Sequence, residues 1–300
     1  MTGPPRQDTS DAVPQLLPGA DPTTGALVPV PPPAAGTDPA RRGDVDDWGR
    51  SERARAVARR AFGPLYRNWF RVEWEGLEHL PTTGGALLVA NHAGAVPMDA
   101  PVIMHGIEEE IRRPVYTLAE NVLWSMPFVG TIFSRVGGVN AHPDNAYRLL
   151  REEGQLALVF PEGTKATGKT YAERYQLRRF GRGGFVQLAA RAGVPIVPIA
   201  VVGSEEAMPN LANVAPLARA LGVPYVPITA QMLALGPLGA FAFLPAKFTV
   251  RVLEPVHLEL PPGRPRYSAA AVMDEAERIR QRVQEALHDM LRRRSSVWRG

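Results

Sequence analysis

From residue 72 onward, short strand-like stretches alternate with longer stretches of helical periodicity. Apolar or alternating residues of strand length occupy 72–75, 86–90, 115–118, 156–160, 195–202 and 247–258. Apolar residues recur every three or four positions in 99–113, 145–153, 183–192 and 269–294. Strands that alternate with helices predict an α/β fold with a mostly parallel central sheet flanked by helices. On the last helix, one face carries Ile279, Val283, Leu287 and Leu291.

The first 45 residues lack this pattern. They contain ten of the 30 prolines and no aromatic residue. Such a composition buries too little apolar surface to offset the entropy of ordering, so residues 1–45 are predicted to be a disordered, proline-rich leader. The leader has neither the basic start nor the apolar stretch of a secretory signal.

Residues 46–71 form a basic amphipathic segment. Its arginines are Arg50, Arg53, Arg55, Arg59, Arg60 and Arg67, and they interleave with aliphatic and aromatic residues. Helical spacing separates the two sets, and Gly63-Pro64 is expected to divide the segment into two short helices. A basic helix that carries Trp69 and Phe70 is suited to a membrane interface. The alternative is a helix packed on the domain with its arginines in water.

A second unusual stretch, 220–246, contains no charged residue, yet its prolines exclude one continuous helix. A broken apolar segment of this length lines either the core or a lipid site. We expect a core location.

Charge and composition narrow the function classes. The 34 Lys and Arg exceed the 30 Asp and Glu, which favours anionic partners such as lipid headgroups or coenzyme phosphates. The absence of cysteine excludes a thiolate nucleophile and a cysteine-bound zinc, and it fits a reducing compartment. The six histidines show no metal-ligand spacing, and no serine has the Gly-x-Ser-x-Gly context of a hydrolase. Aromatic residues are not interleaved in a stacking pattern with the basic cluster of residues 165–182, so a nucleic acid is not an expected partner.

The apolar run 87–90 stops abruptly at Asn91-His92, and Asp99 follows after a loop that contains Gly94 and Pro97. In open α/β sheets, ligands bind at the carboxyl ends of the strands. A histidine there, with a carboxylate that fixes its tautomer, is suited to act as a general base. The alternative is a structural histidine in a turn, with Asp99 as the N-cap of the next helix.

A second strand ends in Phe160-Pro161, followed by Glu162, Gly163, Thr164 and Lys165. A hydroxyl, a cation and flexible backbone at one strand end suit a ligand that carries phosphate or hydroxyl groups. The cations then continue to Arg182 and include Arg179, and a helix is predicted to begin at Gly183-Gly184. Arginines beside a helix N-terminus favour anion binding.

Together with Val194-Pro195-Ile196-Val197-Pro198, these blocks resemble in sequence and order those of the glycerolipid acyltransferase family, which is lysophosphatidate acyltransferase-like. The resemblance covers about 72–205 and continues loosely to 255. It implies a glycerol-3-phosphate acyltransferase-like fold and an acyltransferase domain over 72–300, including the C-terminal helix.

The resemblance also implies the chemistry. His92 would take a proton from an acceptor hydroxyl, and Asp99 would hold the imidazole, while the donor is acyl-CoA or acyl carrier protein and no other cofactor takes part. Backbone donors near Gly94 or Gly163 would stabilise the oxyanion, each worth roughly 3 kcal/mol. The residues expected to bind substrate are Asn91, Gly94, Glu162, Gly163, Thr164, Lys165, Arg179 and Arg182.

The chain departs from the family pattern in two places. Six residues separate His92 from Asp99 where the family has four, as in a diverged branch that resembles monoacylglycerol acyltransferases. No arginine follows Gly137-Gly138, where the family carries a phosphate-binding one. Arg135 precedes them, and Lys165 and the 178–182 arginines are the other candidate anion holders.

We expect an enzyme of phospholipid biosynthesis on the cytoplasmic surface of a membrane, with lysophosphatidate or glycerol-3-phosphate as acceptor. A glycolipid or neutral glycerolipid acceptor is the alternative within this class. A protein that binds lipid on the same fold without catalysis is the alternative outside it.

Overall fold

The computed structural model describes residues 43–119, 124, 128–221, 225–264 and 267–300, so most of the predicted leader lies outside the described residues. A seven-stranded sheet in the order β1-β9-β6-β2-β5-β3-β4 forms the core, and β7 and β8 form a separate hairpin. The strands are β1 Glu73–Glu75, β2 Ala86–Ala90, β3 Val115–Ala119, β4 Gly138–Asn140, β5 Leu156–Val159, β6 Ile196–Val202, β7 Asn210–Asn213, β8 Pro227–Thr229 and β9 Thr249–Val252.

The helices are α1 Glu52–Pro64, α2 Asp99–Glu110, α3 Val129–Arg135, α4 Pro143–Tyr147, α5 Thr164–Thr167, α6 Gly184–Ala192, α7 Ser204–Ala207, α8 Ala215–Leu221, α9 Ala230–Leu235 and α10 Ala269–Arg293. Two π-helical turns, Leu65–Trp69 and Arg148–Glu152, directly follow α1 and α4. Short 3-10 turns cover Leu77–His79, Tyr171–Glu173 and Gly236–Phe241.

The sheet is mostly parallel, as predicted. Strands β2 to β6 run in one direction, whereas β9 is antiparallel to β6 and β1 is parallel to β9. All five residues of β2 are buried, which is typical of a strand covered on both faces. Val89 pairs with Val159 on one side and Pro198 on the other. The carboxyl ends of β2, β5 and β6 therefore lie at one edge of the sheet.

Helices cover both faces of the sheet because side chains alternate along each strand. Leu88 packs in a cluster with Ile103 of α2, whereas Leu87 packs on the opposite face with Val186 of α6. The predicted face of the C-terminal helix is confirmed, since Ile279, Val283 and Leu287 of α10 are all fully buried.

The predicted break at Gly63-Pro64 is wrong. Helix α1 runs through Pro64, and the π-helical turn follows without interruption. Proline has no backbone N–H to donate, so it interrupts the ordinary helical pairing. In the wider π-helical turn each N–H bonds to the carbonyl five residues earlier. The Phe70 N–H, for example, donates to the Leu65 carbonyl at 2.8 Å.

The segment packs on the domain, as in the alternative to membrane contact, but three of its arginines do not lie in water as that alternative expected. Arg50, Arg55 and Arg59 converge on the carboxylate of Glu108 in α2, at N–O distances of 3.2, 2.5 and 3.0 Å. The aromatic side of the helix packs on α2 as well, where Tyr66 contacts the His105 ring. This packing covers Tyr66, whereas Trp69 at the end of the segment stays 43% exposed.

The Glu108 cluster sets an expectation for stability. Replacing Glu108 by alanine removes the carboxylate partner of the buried Arg55 guanidinium, while Arg50 keeps its contact with Glu52, so we expect a loss of about 3–5 kcal/mol in the free energy of unfolding, measured by urea denaturation. Glu109→Ala is the matched control, since its contact with the exposed Arg67 is 3.6 Å long and such pairs contribute less than about 1 kcal/mol. Equal losses in the two variants would contradict the expectation.

The same cluster gives this stability a pH dependence. Burial raises the pKa of Glu108, but hydrogen bonds and charge from its three arginines outweigh it and hold the pKa below the usual value of 4.5. The contribution is therefore present above about pH 4.5 and is lost as the pH falls through the lowered pKa.

Most of the described part of 220–246 is not core, contrary to the prediction, although Ala246 lies in the core cluster and Phe243 packs against it. Its described part pairs β8 with β7 and continues through α9 into the 3-10 turn that ends at Phe241. Four of its large side chains are strongly exposed: Leu233 at 70%, Leu235 at 56%, Leu238 at 74% and Phe241 at 81%. We call residues 225–246 the apolar insert. Of the helices in the described ranges, none is both long and apolar enough to cross a bilayer.

Candidate active site

The site begins where β2 ends. The Asn91 amide donates to the Val201 carbonyl at 3.0 Å and accepts from the Val201 N–H at 2.7 Å. The side chain thus extends the pairing of β2 with β6 by one residue and fixes the point at which the chain leaves the sheet. Both polar atoms pair with Val201 and the residue is 3% exposed, so the main role of Asn91 in the structure is to hold the end of β2.

The loop after β2 brings His92 and Asp99 together. Nδ1 of His92 lies 2.7 Å from Oδ2 of Asp99, and the same oxygen accepts the Ala93 N–H at 2.8 Å. Asp99 is the first residue of α2, yet Met98 is the N-cap and makes no side-chain cap hydrogen bond. The carboxylate therefore orients the imidazole instead of capping the helix. Six intervening residues are sufficient to close this contact.

Gly94 makes that loop possible. Its φ is +86°, in the left-handed region, and a Cβ at this position would lie 2.8 Å from the Ser204 carbonyl oxygen. Only glycine combines this backbone conformation with so close an approach. The Gly94 N–H has no acceptor among the residues that the structure describes, so it remains the candidate oxyanion donor.

The contacts of His92 define its tautomer and its orientation. A carboxylate on Nδ1 favours the tautomer with the proton there, which leaves the lone pair on Nε2. The Phe160 ring stacks on the imidazole, with centroids 4.2 Å apart and planes inclined by 25°. The side chain is 18% exposed, so a ligand can reach the ring.

Ser204, the first residue of α7, completes the support of Asp99. Its hydroxyl lies within hydrogen-bond distance of Asp99 Oδ1 and 2.7 Å from the Ala93 carbonyl oxygen, and it is 2% exposed. A hydroxyl has one proton and donates to one of these acceptors at a time. In the sequence, Ser204 lacks the Gly-x-Ser-x-Gly context of a nucleophile and carries no other local motif. Its position directly after β6, beside β2, was the signal that could have identified it.

Glu162 lies beneath the site. Its side chain is fully buried and accepts the His92 N–H at 3.3 Å and the Arg178 N–H at 2.6 Å. The carboxylate therefore accepts hydrogen bonds from two backbone N–H groups and is not exposed to a substrate. The N–H of Gly163 donates to the Phe160 carbonyl at 3.0 Å, so it is not free to act as an oxyanion donor, contrary to the prediction.

Lys169 is held between two carboxylates. Its ammonium lies 3.5 Å from Glu162 and 3.6 Å from Glu205, donates to the Gln176 carbonyl at 3.0 Å, and is 3% exposed. It is therefore not available to an anionic ligand. Burial raises the pKa of Glu205 to about 8.

Glu205→Gln is expected to remove a pH dependence of stability. The folded state keeps a proton on Glu205 that the unfolded chain releases near its usual pKa of 4.5. Between these values the folded state binds more protons, so the wild-type free energy of unfolding falls with rising pH, by at most about 1.4 kcal/mol per pH unit. Urea denaturation from pH 5 to pH 8 should show this decline in the wild type and a flatter curve in Glu205→Gln. Parallel curves would contradict the assignment.

The remaining predicted ligands lie beside this corner. The side chains of Thr164 and Lys165 are outside the described residues, although their backbone begins α5. Arg179 and Arg182 are exposed and flank Gly181, where a Cβ would lie 3.5 Å from the Pro161 carbonyl oxygen. Two other arginines are engaged elsewhere, since Arg178 pairs with Glu173 and Arg135 donates to the Gly49 carbonyl.

A parallel α/β sheet with a His–Asp pair at the carboxyl end of its central strand defines the class of this protein. The model of the family described as Acyltransferase matches residues 71–202, which contain the pair and the Glu162 corner. Uncharacterized proteins of Mycobacterium leprae and Mycobacterium bovis are 38% and 36% identical over 79% and 82% of this chain. The chain belongs to the glycerolipid acyltransferase family.

Two further likenesses are more distant. The chain is 27% identical over 131 residues, 44% of its length and 38% of the other's, to the bovine DGAT1/2-independent enzyme synthesizing storage lipids. It shares its fold with the solved 1-acyl-sn-glycerophosphate acyltransferase PlsC of Thermotoga maritima, with a TM-score of 0.52 and 21% identity over 82% of this chain and 81% of that one. The chain spans 64% and 68% of the length of the two mycobacterial relatives.

Proposed function

We propose that this protein transfers a fatty acyl group from a thioester to a hydroxyl of a glycerolipid. The observation that carries the proposal is the 2.7 Å contact of Asp99 with His92 Nδ1, which leaves Nε2 as a base on an accessible ring. The blocks around the pair belong to a family whose members include enzymes named for acylglycerophosphate and storage-lipid synthesis.

In the proposed reaction, His92 Nε2 takes the proton of the acceptor hydroxyl, and the oxygen attacks the thioester carbonyl. The negative charge that develops on the carbonyl oxygen is stabilised by backbone donors, for which the Gly94 N–H is the candidate. The C–S bond then breaks, and the imidazolium returns its proton to the leaving thiolate. Asp99 stabilises the imidazolium between these two steps.

We propose acyl-CoA or acyl carrier protein as the donor, because both are thioesters and the reaction needs no other cofactor. For the acceptor, the exposed Arg179 and Arg182 beside the Glu162 corner favour lysophosphatidate or glycerol-3-phosphate, whose phosphate they would bind. A neutral glycerolipid is the second candidate. It is favoured by the burial of Lys169 between two carboxylates and by the name of the bovine relative.

The proposed location is the cytoplasmic surface of a membrane, where lipid acceptors and cytoplasmic thioesters meet. The chain contains no cysteine, which supports a reducing compartment. The proposed role is in lipid synthesis, and with a phosphate-bearing acceptor it becomes phospholipid biosynthesis.

The test is release of free thiol from acyl-CoA and acyl carrier protein in the presence of glycerol-3-phosphate, lysophosphatidate, monoacylglycerol or diacylglycerol. Acceptor-dependent thiol release with formation of the acylated lipid is expected. Vesicle binding without thioester consumption would favour the alternative of a lipid-binding protein without catalysis.

A further inference from the structure

The apolar insert carries a local cluster of large, exposed apolar side chains. Leu233, Leu235, Leu238 and Phe241 lie within nine residues and are 56–81% exposed. Contiguous exposed apolar surface marks a site of interaction. The insert carries no charged side chain, so nothing in it opposes transfer into an apolar environment.

Two exposed tryptophans are tied to the same region. The Trp69 indole donates to the Phe243 carbonyl at 3.0 Å, and its side chain is 43% exposed. The Arg71 guanidinium binds the carbonyls of Pro245 and Trp298, at 2.7 and 2.5 Å, and Trp298 is 48% exposed. Tryptophan is enriched at the boundary between water and lipid headgroups, where its ring is partly apolar and partly polar.

The three chain segments that meet at the insert carry formal charges of one sign in their own sequence. The joined segments 64–71, 210–246 and 294–300 contain five arginines and no aspartate or glutamate. Arg294 is buried against Glu206, whereas Arg67, Arg219 and Arg299 are exposed. Arginine at the rim of an apolar surface complements anionic headgroups. It opposes a second copy of the same surface, which would bring like charges together.

The insert also adjoins the candidate active site. The Tyr225 hydroxyl donates at 3.0 Å to the carbonyl of Ala95, in the loop that carries His92. The Gln231 amide donates at 2.9 Å to the Ala207 carbonyl, at the end of the helix that begins with Ser204. An occupant of the insert is thus adjacent to the loops that hold the His–Asp pair.

We propose that the apolar insert, with Trp69 and Trp298 at its rim, is the surface by which this protein docks on a bilayer that contains anionic lipid. The choice of a bilayer rests on the proposed function, whose substrates are lipids. Docking through the insert places the His92 loop at the lipid surface, so a membrane-embedded acceptor reaches the base with little displacement from the bilayer.

The test is co-flotation of the full chain with vesicles of phosphatidylcholine and phosphatidylglycerol, compared with phosphatidylcholine alone. The double variant Leu238→Glu and Phe241→Glu should lower the partition coefficient for anionic vesicles by about 100-fold, because it removes two apolar anchors and adds two like charges. The matched control, Val57→Glu with Ile132→Glu, changes two side chains that are 69% and 65% exposed elsewhere, and it should bind within about 3-fold of wild type.

Equal binding by the two double variants, or no binding by the wild type, would overturn the proposal. So would a wild-type dimer, measured by sedimentation, that only the insert variant dissociates. Transfer between water-soluble short-chain substrates separates this result from the proposed function. The insert variant should keep that activity, which also shows that it is folded. If the wild type lacks that activity while flotation behaves as expected, the proposed function fails and the docking surface stands.

Discussion

Replacing His92 by alanine is expected to lower acyl transfer by about 10²–10⁴-fold, because the acceptor hydroxyl loses the base that removes its proton. The loss should appear in kcat, measured as thiol release at saturating acyl donor and acceptor. The imidazole is 18% exposed and packs on one face against Phe160, so its removal should leave the fold intact. A circular dichroism melting curve close to that of wild type checks this.

The control for this variant is His257→Ala, which removes an exposed histidine far along the chain from the pair. It should keep wild-type kcat. If His92→Ala transferred acyl groups at the wild-type rate, the proposed mechanism would be wrong, whatever the acceptor. If both variants were equally slow, the loss would not be specific to the pair.

The sheet and the main helices were predictable because their signals are local. Strand β2 has the bounds that the apolar run gave, and α10 ends within one residue of its predicted end. Strand β4 was missed because three residues, of which the first is a glycine that follows another glycine, carry too little pattern. The apolar insert was misplaced for a different reason. An apolar sequence indicates that burial would be favourable, but it does not indicate whether another part of the fold lies close enough to cover it.

The site shows the same division between local and distant information. His92 and Asp99 were found because both lie in one short loop and in a family block. Ser204 reaches Asp99 across 105 positions, and Lys169 meets Glu205 across 36, so no local spacing marks either contact. Charge was a poor guide to role. Nothing in the local sequence indicates that Lys169 pairs with carboxylates inside the protein instead of binding a ligand.

Asp99 is expected to show two different losses, depending on its replacement. Asp99→Ala leaves His92 Nδ1 and the Ala93 N–H without an acceptor and removes the charge that stabilises the imidazolium. We expect kcat to fall by about 10³–10⁴-fold, as when a Ser-His-Asp triad loses its orienting carboxylate. Asp99→Asn removes the charge but keeps the shape, and the surrounding donors decide how its amide lies.

The amide introduced by Asp99→Asn can lie in two orientations. With its NH₂ toward His92, the amide would oppose the Ala93 N–H, which lies 2.8 Å from Oδ2 in the wild type. In the second orientation, the amide oxygen takes the position of Oδ2 and accepts from the Ala93 N–H and from His92 Nδ1. The amide NH₂ then faces Ser204. The Ser204 hydroxyl can accept that NH₂ if it donates to the Ala93 carbonyl, 2.7 Å away. The network therefore favours the orientation that preserves the tautomer of His92.

The amide variant should accordingly retain more activity than the alanine variant. We expect kcat to fall by about 10²-fold in Asp99→Asn, since only the charge is lost. Removing the serine hydroxyl as well, in Asp99→Asn with Ser204→Ala, should lower kcat further, whereas Ser204→Ala alone should have a smaller effect. Asp144→Asn, at a side chain 62% exposed, serves as the control. Activity of Asp99→Asn at or below that of Asp99→Ala would mean that the amide turns its NH₂ to the imidazole, and that Ser204 does not set its orientation.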